Sequence, residues 1–133
     1  MENSAEITGL VVDLDGTLAG DAIDGDYSTC PPNLDIIEKL NFLHKSGSKI
    51  TIHTARSMRT YNRDIELITK NTLPIIVSWL SEHNVHYDEI VVGKPWPGPR
   101  GLYVDDRAVR PNELINMDHD SIISILEASR WRG

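Results

Sequence analysis

Residues 10–20 read LVVDLDGTLAG: Leu10, Val11 and Val12, then Asp13, Leu14, Asp15, Gly16 and Thr17. Three apolar residues, two of them β-branched, run directly into two carboxylates separated by one residue. A continuous apolar run of this kind suits a strand buried in a parallel sheet. Two carboxylates so close repel unless a positive group lies between them or one holds a proton. The stretch therefore predicts a strand over 7–13 aimed at a charged site. Asp13 ends the strand, Leu14 turns away, Asp15 returns to the same side, and Gly16 permits a sharp turn.

Further along, SKITIHTA (48–55), DEIVVG (88–93) and GLYVDD (101–106) read as strands. Between them lie helical patterns. PNLDIIEKLNFLHKSG opens at Pro32 or Asn33 and closes at Gly47. MRTYNRDIELITKN (58–71) reads as a polar helix. LPIIVSWLSEHNV (73–85) has Pro74 in its first turn, where proline is tolerated. DHDSIISILEAS (118–129) begins with an aspartate cap. Residues 16–32 are rich in Gly, Pro and Asp and predict a loop with a small flap. Alternating strands and helices predict an α/β fold with a central parallel sheet covered by helices on both faces, as one domain over 1–133. Ligands in such sheets bind beyond the carboxyl ends of the strands. The polar clusters, Asp13 and Asp15, Thr54 and Arg56, Lys94, and Asp105 and Asp106, all fall there.

The chain has 133 residues, with 13 basic and 20 acidic side chains and a net charge of −7. That balance argues against a broad nucleic-acid surface, which needs a basic face. One cysteine, Cys30, excludes an internal disulfide framework. The opening MENSAEITG has neither a basic region nor a long apolar segment, so no leader is expected. No run reaches the ~18 apolar residues of a membrane span. These features predict a cytoplasmic protein without a membrane partner.

Hard carboxylate oxygens without a His or Cys cluster suit Mg²⁺ better than zinc. Lys94 can neutralise the carboxylates and contact phosphoryl oxygens, and Thr54 can donate a hydrogen bond to the same anion. A carboxylate nucleophile, an acid–base group, a hydroxyl, a lysine and a metal are the parts that phosphoryl transfer uses. Arg56, Arg59 and Arg107 are candidates to grip an anionic substrate. Trp96, in the rigid KPWPGP loop, walls the substrate pocket, forms an oligomer contact, or simply packs. His53, Trp79 and Cys30 read as structural.

VVDLDGTLA, HTAR, GKP and YVDDRAVRP occur in the order of the four motifs of the haloacid dehalogenase superfamily, which the chain resembles from Leu10 to Pro111. The resemblance implies a Rossmann-like core and a Mg²⁺-dependent phosphatase. By position, Asp13 is the implied nucleophile and Asp15 the general acid and base. Thr54 and Lys94 are the implied phosphate binders, and Arg56 and Arg107 are added here as substrate contacts. The implied metal ligands are Asp13, the carbonyl of Asp15, and Asp105, with Asp106 direct or through water. SMRTYN, TLPIIVSWLSEHNVHYDEIVVGKPW and YVDDRAVRPNE are similar to small phosphatases of bacterial capsule and surface-polysaccharide clusters. That subgroup has no large cap domain, so the Ala19–Cys30 loop is the place for substrate contacts, and an open site favours a homo-oligomer. The resemblance implies a small phosphorylated metabolite as substrate. The rival readings are a polynucleotide 3′-phosphatase, which the charge opposes, and a phospho-aspartate receiver module, in which no D-x-D-G-T opens the chain.

Overall fold

The structure is a computed structural model that describes residues 7–133. The first six residues of the stretch read for a leader lie outside the described residues. Three short strands, β1 (Gly9–Val12), β2 (Lys49–Thr54) and β3 (Glu89–Val92), form a parallel sheet in the order β1-β2-β3. The helices are α1 (Leu34–Lys45), α2 (Ile65–Asn71), α3 (Leu73–Glu82), α4 (Pro111–Asn116) and α5 (His119–Ser129). No helix among the described residues is long and apolar enough to cross a membrane.

Register decides which side of the sheet is the core. Leu10 pairs with Ile50, Val12 with Ile52, and Ile52 with Ile90. Partners in register share a face, so these residues form one apolar surface. Ile36, Ile37 and Leu40 of α1, Ile76, Trp79 and Leu80 of α3, Leu114 of α4 and Ile122 of α5 join Val12, Ile50 and Ile52 in a single buried cluster, with Leu10 and Ile90 packed against it. The other face carries Val11, Thr51, His53, Glu89 and Val91, none of them buried. The expectation of helices burying both faces therefore holds for one face only.

Local chemistry sets the helix ends. The Asn33 side chain caps α1 through the Ile36 N–H, and Gly47 follows it at φ +110°. Glycine reaches that left-handed region without a Cβ clash. Asp118 caps α5 through the Ser121 N–H, as the sequence predicts. The helix expected over 58–71 is shortened to 65–71. Ser57, Asn62 and Arg63 take positive φ, and Asp64 begins α2 by accepting from the N–H groups of Glu66 and Leu67. Helix α4 was not anticipated from the sequence.

The largest correction concerns residues 101–106. They form no strand. β1 pairs with β2 alone, and Leu102 and Val104 are 83% and 96% exposed. A strand needs a ladder partner, and this segment has none among the described residues. Pro95, Pro97 and Pro99 supply no N–H on its approach, and the Tyr103 hydroxyl donates to the Pro95 carbonyl at 2.6 Å. That bond ties the segment to the loop after β3 instead.

Leu14 anchors the turn after β1. It is fully buried, and its carbonyl accepts from the N–H groups of Thr17, Leu18 and Ala19 at 3.2, 2.9 and 3.0 Å. Leu14→Ala is expected to destabilise the fold by about 2–5 kcal/mol, the range for truncating a buried leucine. The midpoint of urea unfolding checks this; an unchanged midpoint would mean that Leu14 is not an anchor.

Candidate active site

Parallel pairing places the carboxyl ends of the three strands side by side. Asp13 follows β1, Thr54 ends β2, and Lys94 follows β3 after Gly93. The Lys94 N–H donates to the Thr54 carbonyl at 3.1 Å, which joins the last two of these ends. Lys94 Nζ then stands 3.5 Å from Asp13 Oδ1, and Thr17 Oγ1 donates to Asp13 Oδ2 at 3.3 Å. Three of the predicted residues thus meet at one rim, and Thr17 from the same turn supports Asp13.

Asp15 has a different partner. Arg56 donates from Nε to Oδ2 at 3.0 Å and from Nη2 to Oδ1 at 2.7 Å. This is the two-pronged geometry that suits a guanidinium to a carboxylate. The Arg56 side chain is 1% exposed and that of Asp15 40%. Its guanidinium lies over the Tyr27 ring, 4.2 Å from the centroid. The Arg56 N–H donates to Thr54 Oγ1 at 3.0 Å, which leaves the buried Thr54 hydroxyl free to donate elsewhere. Arg56 was expected to hold substrate; in the structure its charge meets Asp15. The third nitrogen, Nη1, is buried and has no hydrogen-bond partner among the described residues. Leaving a buried donor unsatisfied costs roughly 1–3 kcal/mol.

Lys94 Nζ also lies over the Tyr103 ring at 4.2 Å from its centroid. Burial, and secondarily the Asp13 charge, raises the Tyr103 hydroxyl above its ordinary value. Tyr103 therefore remains a neutral wall beside the Asp13–Lys94 pair. Trp96 faces Arg59 at 5.8 Å from ring centroid to guanidinium carbon and is 43% exposed. Trp79 is core, as expected, and its indole N–H donates to the Cys30 carbonyl at 2.9 Å. Cys30 is buried, and that burial raises its thiol pKa, so it is not an activated nucleophile.

The four expected metal-ligating aspartates do not converge. Among the described residues, no three His, Cys, Asp or Glu side chains are grouped so as to hold a metal ion. Asp13 faces Lys94, Asp15 faces Arg56, and Asp105 Oδ1 accepts from the Arg107 N–H at 2.8 Å on the exposed 101–106 segment. No hydrogen bond or ion pair among the described residues joins Asp105, Asp106 or Arg107 to Asp13, Thr54 or Lys94. The donors are hard oxygens, the chemistry that Mg²⁺ takes, and among the described residues no three of their side chains are grouped.

Sequence reasoning missed Tyr27 and Tyr103. Tyr27 sits 29 positions before the arginine it supports, in the turn Tyr27–Thr29 of the 16–32 loop, and no spacing signals that contact. Tyr103 was hidden inside a strand-like alternation. A cavity of about 280 Å³ lies at the opposite, amino ends of the strands, lined by His44, Gly47, Ser48, Lys49 and Asp88. The Asp88 carboxyl there is held below its usual range by the Ile50 N–H and then by His44. Its ionic groups are paired, His44 with Asp88 and Lys49 with Glu89, whereas the rim gathers two carboxylates, two cations and a buried hydroxyl.

A crystal structure of a target protein from Vibrio cholerae matches 93% of this chain and 100% of its own, with 49% identity and a TM-score of 0.87. No protein-family model and no curated protein matches the chain.

Burial, then the nearby Lys94 charge, lowers the His53 pKa, and Asp13 opposes them. A histidine depressed in the folded state favours folding while neutral. That contribution is present above its unfolded value of about 6.5 and is lost as pH falls through the folded value. The melting temperature is expected to fall as pH drops below about 6.5, and His53→Gln to make the fall shallower. Parallel melting curves for the two proteins check this.

Proposed function

We propose, for a chain that belongs to the same family as that Vibrio cholerae protein, a phosphomonoesterase that works through an aspartyl-phosphate at Asp13. The observation that carries the reading is the Asp13–Lys94 pair at 3.5 Å on the carboxyl rim, with Asp15 two residues on in the same turn. An anionic nucleophile and an anionic phosphate repel. A lysine beside the attacking oxygen offsets that repulsion while the new bond forms.

In the first step an Asp13 oxygen bonds to phosphorus, the bond to the ester oxygen breaks, and protonated Asp15 gives its proton to the departing alkoxide. In the second step water attacks the same phosphorus and the Asp15 carboxylate takes its proton. The acyl-phosphate bond breaks, and orthophosphate and Asp13 are released. Thr54 and Lys94 hold the phosphoryl oxygens. The fold supporting these roles is read as a haloacid dehalogenase core without a large cap, and the substrate as a small sugar- or polyol-type phosphate of capsule or surface-polysaccharide synthesis. The open rim and the net charge of −7 suit a small metabolite better than a nucleic acid.

Mg²⁺ belongs to this reading on sequence grounds alone. EDTA treatment is expected to abolish turnover and added Mg²⁺ to restore it, measured as orthophosphate release. Full activity in EDTA would remove the cation from the reading.

Asp13→Asn is expected to eliminate steady turnover while the melting curve stays cooperative. Continued phosphate release by this variant would show that Asp13 is not the nucleophile. A screen of heptose, hexose, sialic-acid-type and polyol phosphates identifies the substrate class, and faster release from a 3′-phosphorylated oligonucleotide would overturn the assignment to small metabolites.

A further inference from the structure

We propose that Arg56, seated on the ring of Tyr27, is the positioning residue for Asp15 and sets the line along which that carboxyl passes its proton to the leaving group. The inference rests on the phosphomonoesterase reading and adds to it a residue that touches neither substrate nor phosphorus. The Asp15 side chain is 40% exposed, and its described hydrogen-bond partners are the two Arg56 nitrogens at 3.0 and 2.7 Å. The backbone of the turn is fixed by the three N–H groups gathered on the Leu14 carbonyl, but that leaves the carboxyl free to rotate. The guanidinium removes this freedom. It engages one lone pair on each oxygen and leaves the others free on a side chain that is 40% exposed.

Arg56 is itself held from three directions. Its N–H bonds the Thr54 hydroxyl, its fork bonds Asp15, and its flat face meets Tyr27 at 4.2 Å. Stability alone does not explain this arrangement, because replacing a buried ion pair by apolar groups is often neutral or stabilising. Lysine would keep the charge but could not form the fork. Tyr27 projects from the Ala19–Cys30 loop, so the loop expected to meet substrate also sets the seat of the arginine that aims Asp15.

The test compares two esters. An alkyl phosphate needs its leaving oxygen protonated; p-nitrophenyl phosphate, whose leaving group is stable as an anion, does not. Arg56→Lys is expected to lower kcat/KM for the alkyl ester by about 10²-fold, the scale for a misplaced proton donor, and to leave the aryl ester nearly unchanged. Tyr27→Ala, at a half-exposed ring, is expected to move the same ratio by a smaller factor, and is read in place of Arg56→Lys if that variant does not fold. A merely structural disturbance would also displace Asp13, Thr54 and Lys94 and would slow both esters alike. Equal loss on both, or loss on neither, overturns the positioning role and leaves the phosphatase reading standing. No turnover of either ester by the unsubstituted protein overturns that reading, and this inference with it.

Discussion

Two like charges on one short turn are the constraint from which the rim is built. Asp13 and Asp15 flank Leu14, whose burial commits the backbone and forbids the carboxylates from drifting apart along the chain. The fold resolves their repulsion with a separate cation for each. Lys94 arrives from the end of β3 and faces Asp13; Arg56 arrives from just beyond β2 and grips Asp15. Both cations depend on parallel pairing, because only then do β1, β2 and β3 end on the same side. The sheet is small, but its register is what brings residues forty and eighty positions apart to one place.

The two cations are suited to different work. Lysine is a compact charge on a flexible stem, and 3.5 Å from Asp13 it can shift toward an arriving phosphate without losing its purpose. Arginine presents a rigid fork, and buried between Asp15 and Tyr27 it cannot shift cheaply. An attacking carboxylate needs its field balanced as charge moves, whereas a proton-transferring carboxylate needs a fixed direction. The aromatic neighbours follow the same division: Tyr27 supports the arginine, and Tyr103 covers the lysine while its hydroxyl is committed to the Pro95 carbonyl.

Among the described residues one face of the sheet remains uncovered, and β1 and β3 each have a single strand partner. Val11 is 72% exposed on β1, and the apolar residues of 101–106 are exposed as well. From that segment Tyr103 reaches the rim and lies over Lys94, while Asp105 accepts from the Arg107 N–H.

The sequence by itself determined the local features: the apolar run ending in Asp13, the alternation of Ile50 and Ile52, the caps at Asn33 and Asp118, and the glycines at the turns. These depend on neighbours a few residues away, and periodicity and side-chain chemistry record them directly. It also ordered Asp13, Thr54 and Lys94 after successive strands, so their meeting could be anticipated from parallel pairing. Only the tertiary structure decided what each charge faces. Nothing near HTAR signals that Arg56 turns inward to Asp15, or that Tyr27 lies beneath it. Nor does GLYVDD reveal that its strand-like alternation finds no ladder. A strand, an ion pair and a stacked ring each need a partner from elsewhere in the chain, and local sequence carries no record of which partner arrives.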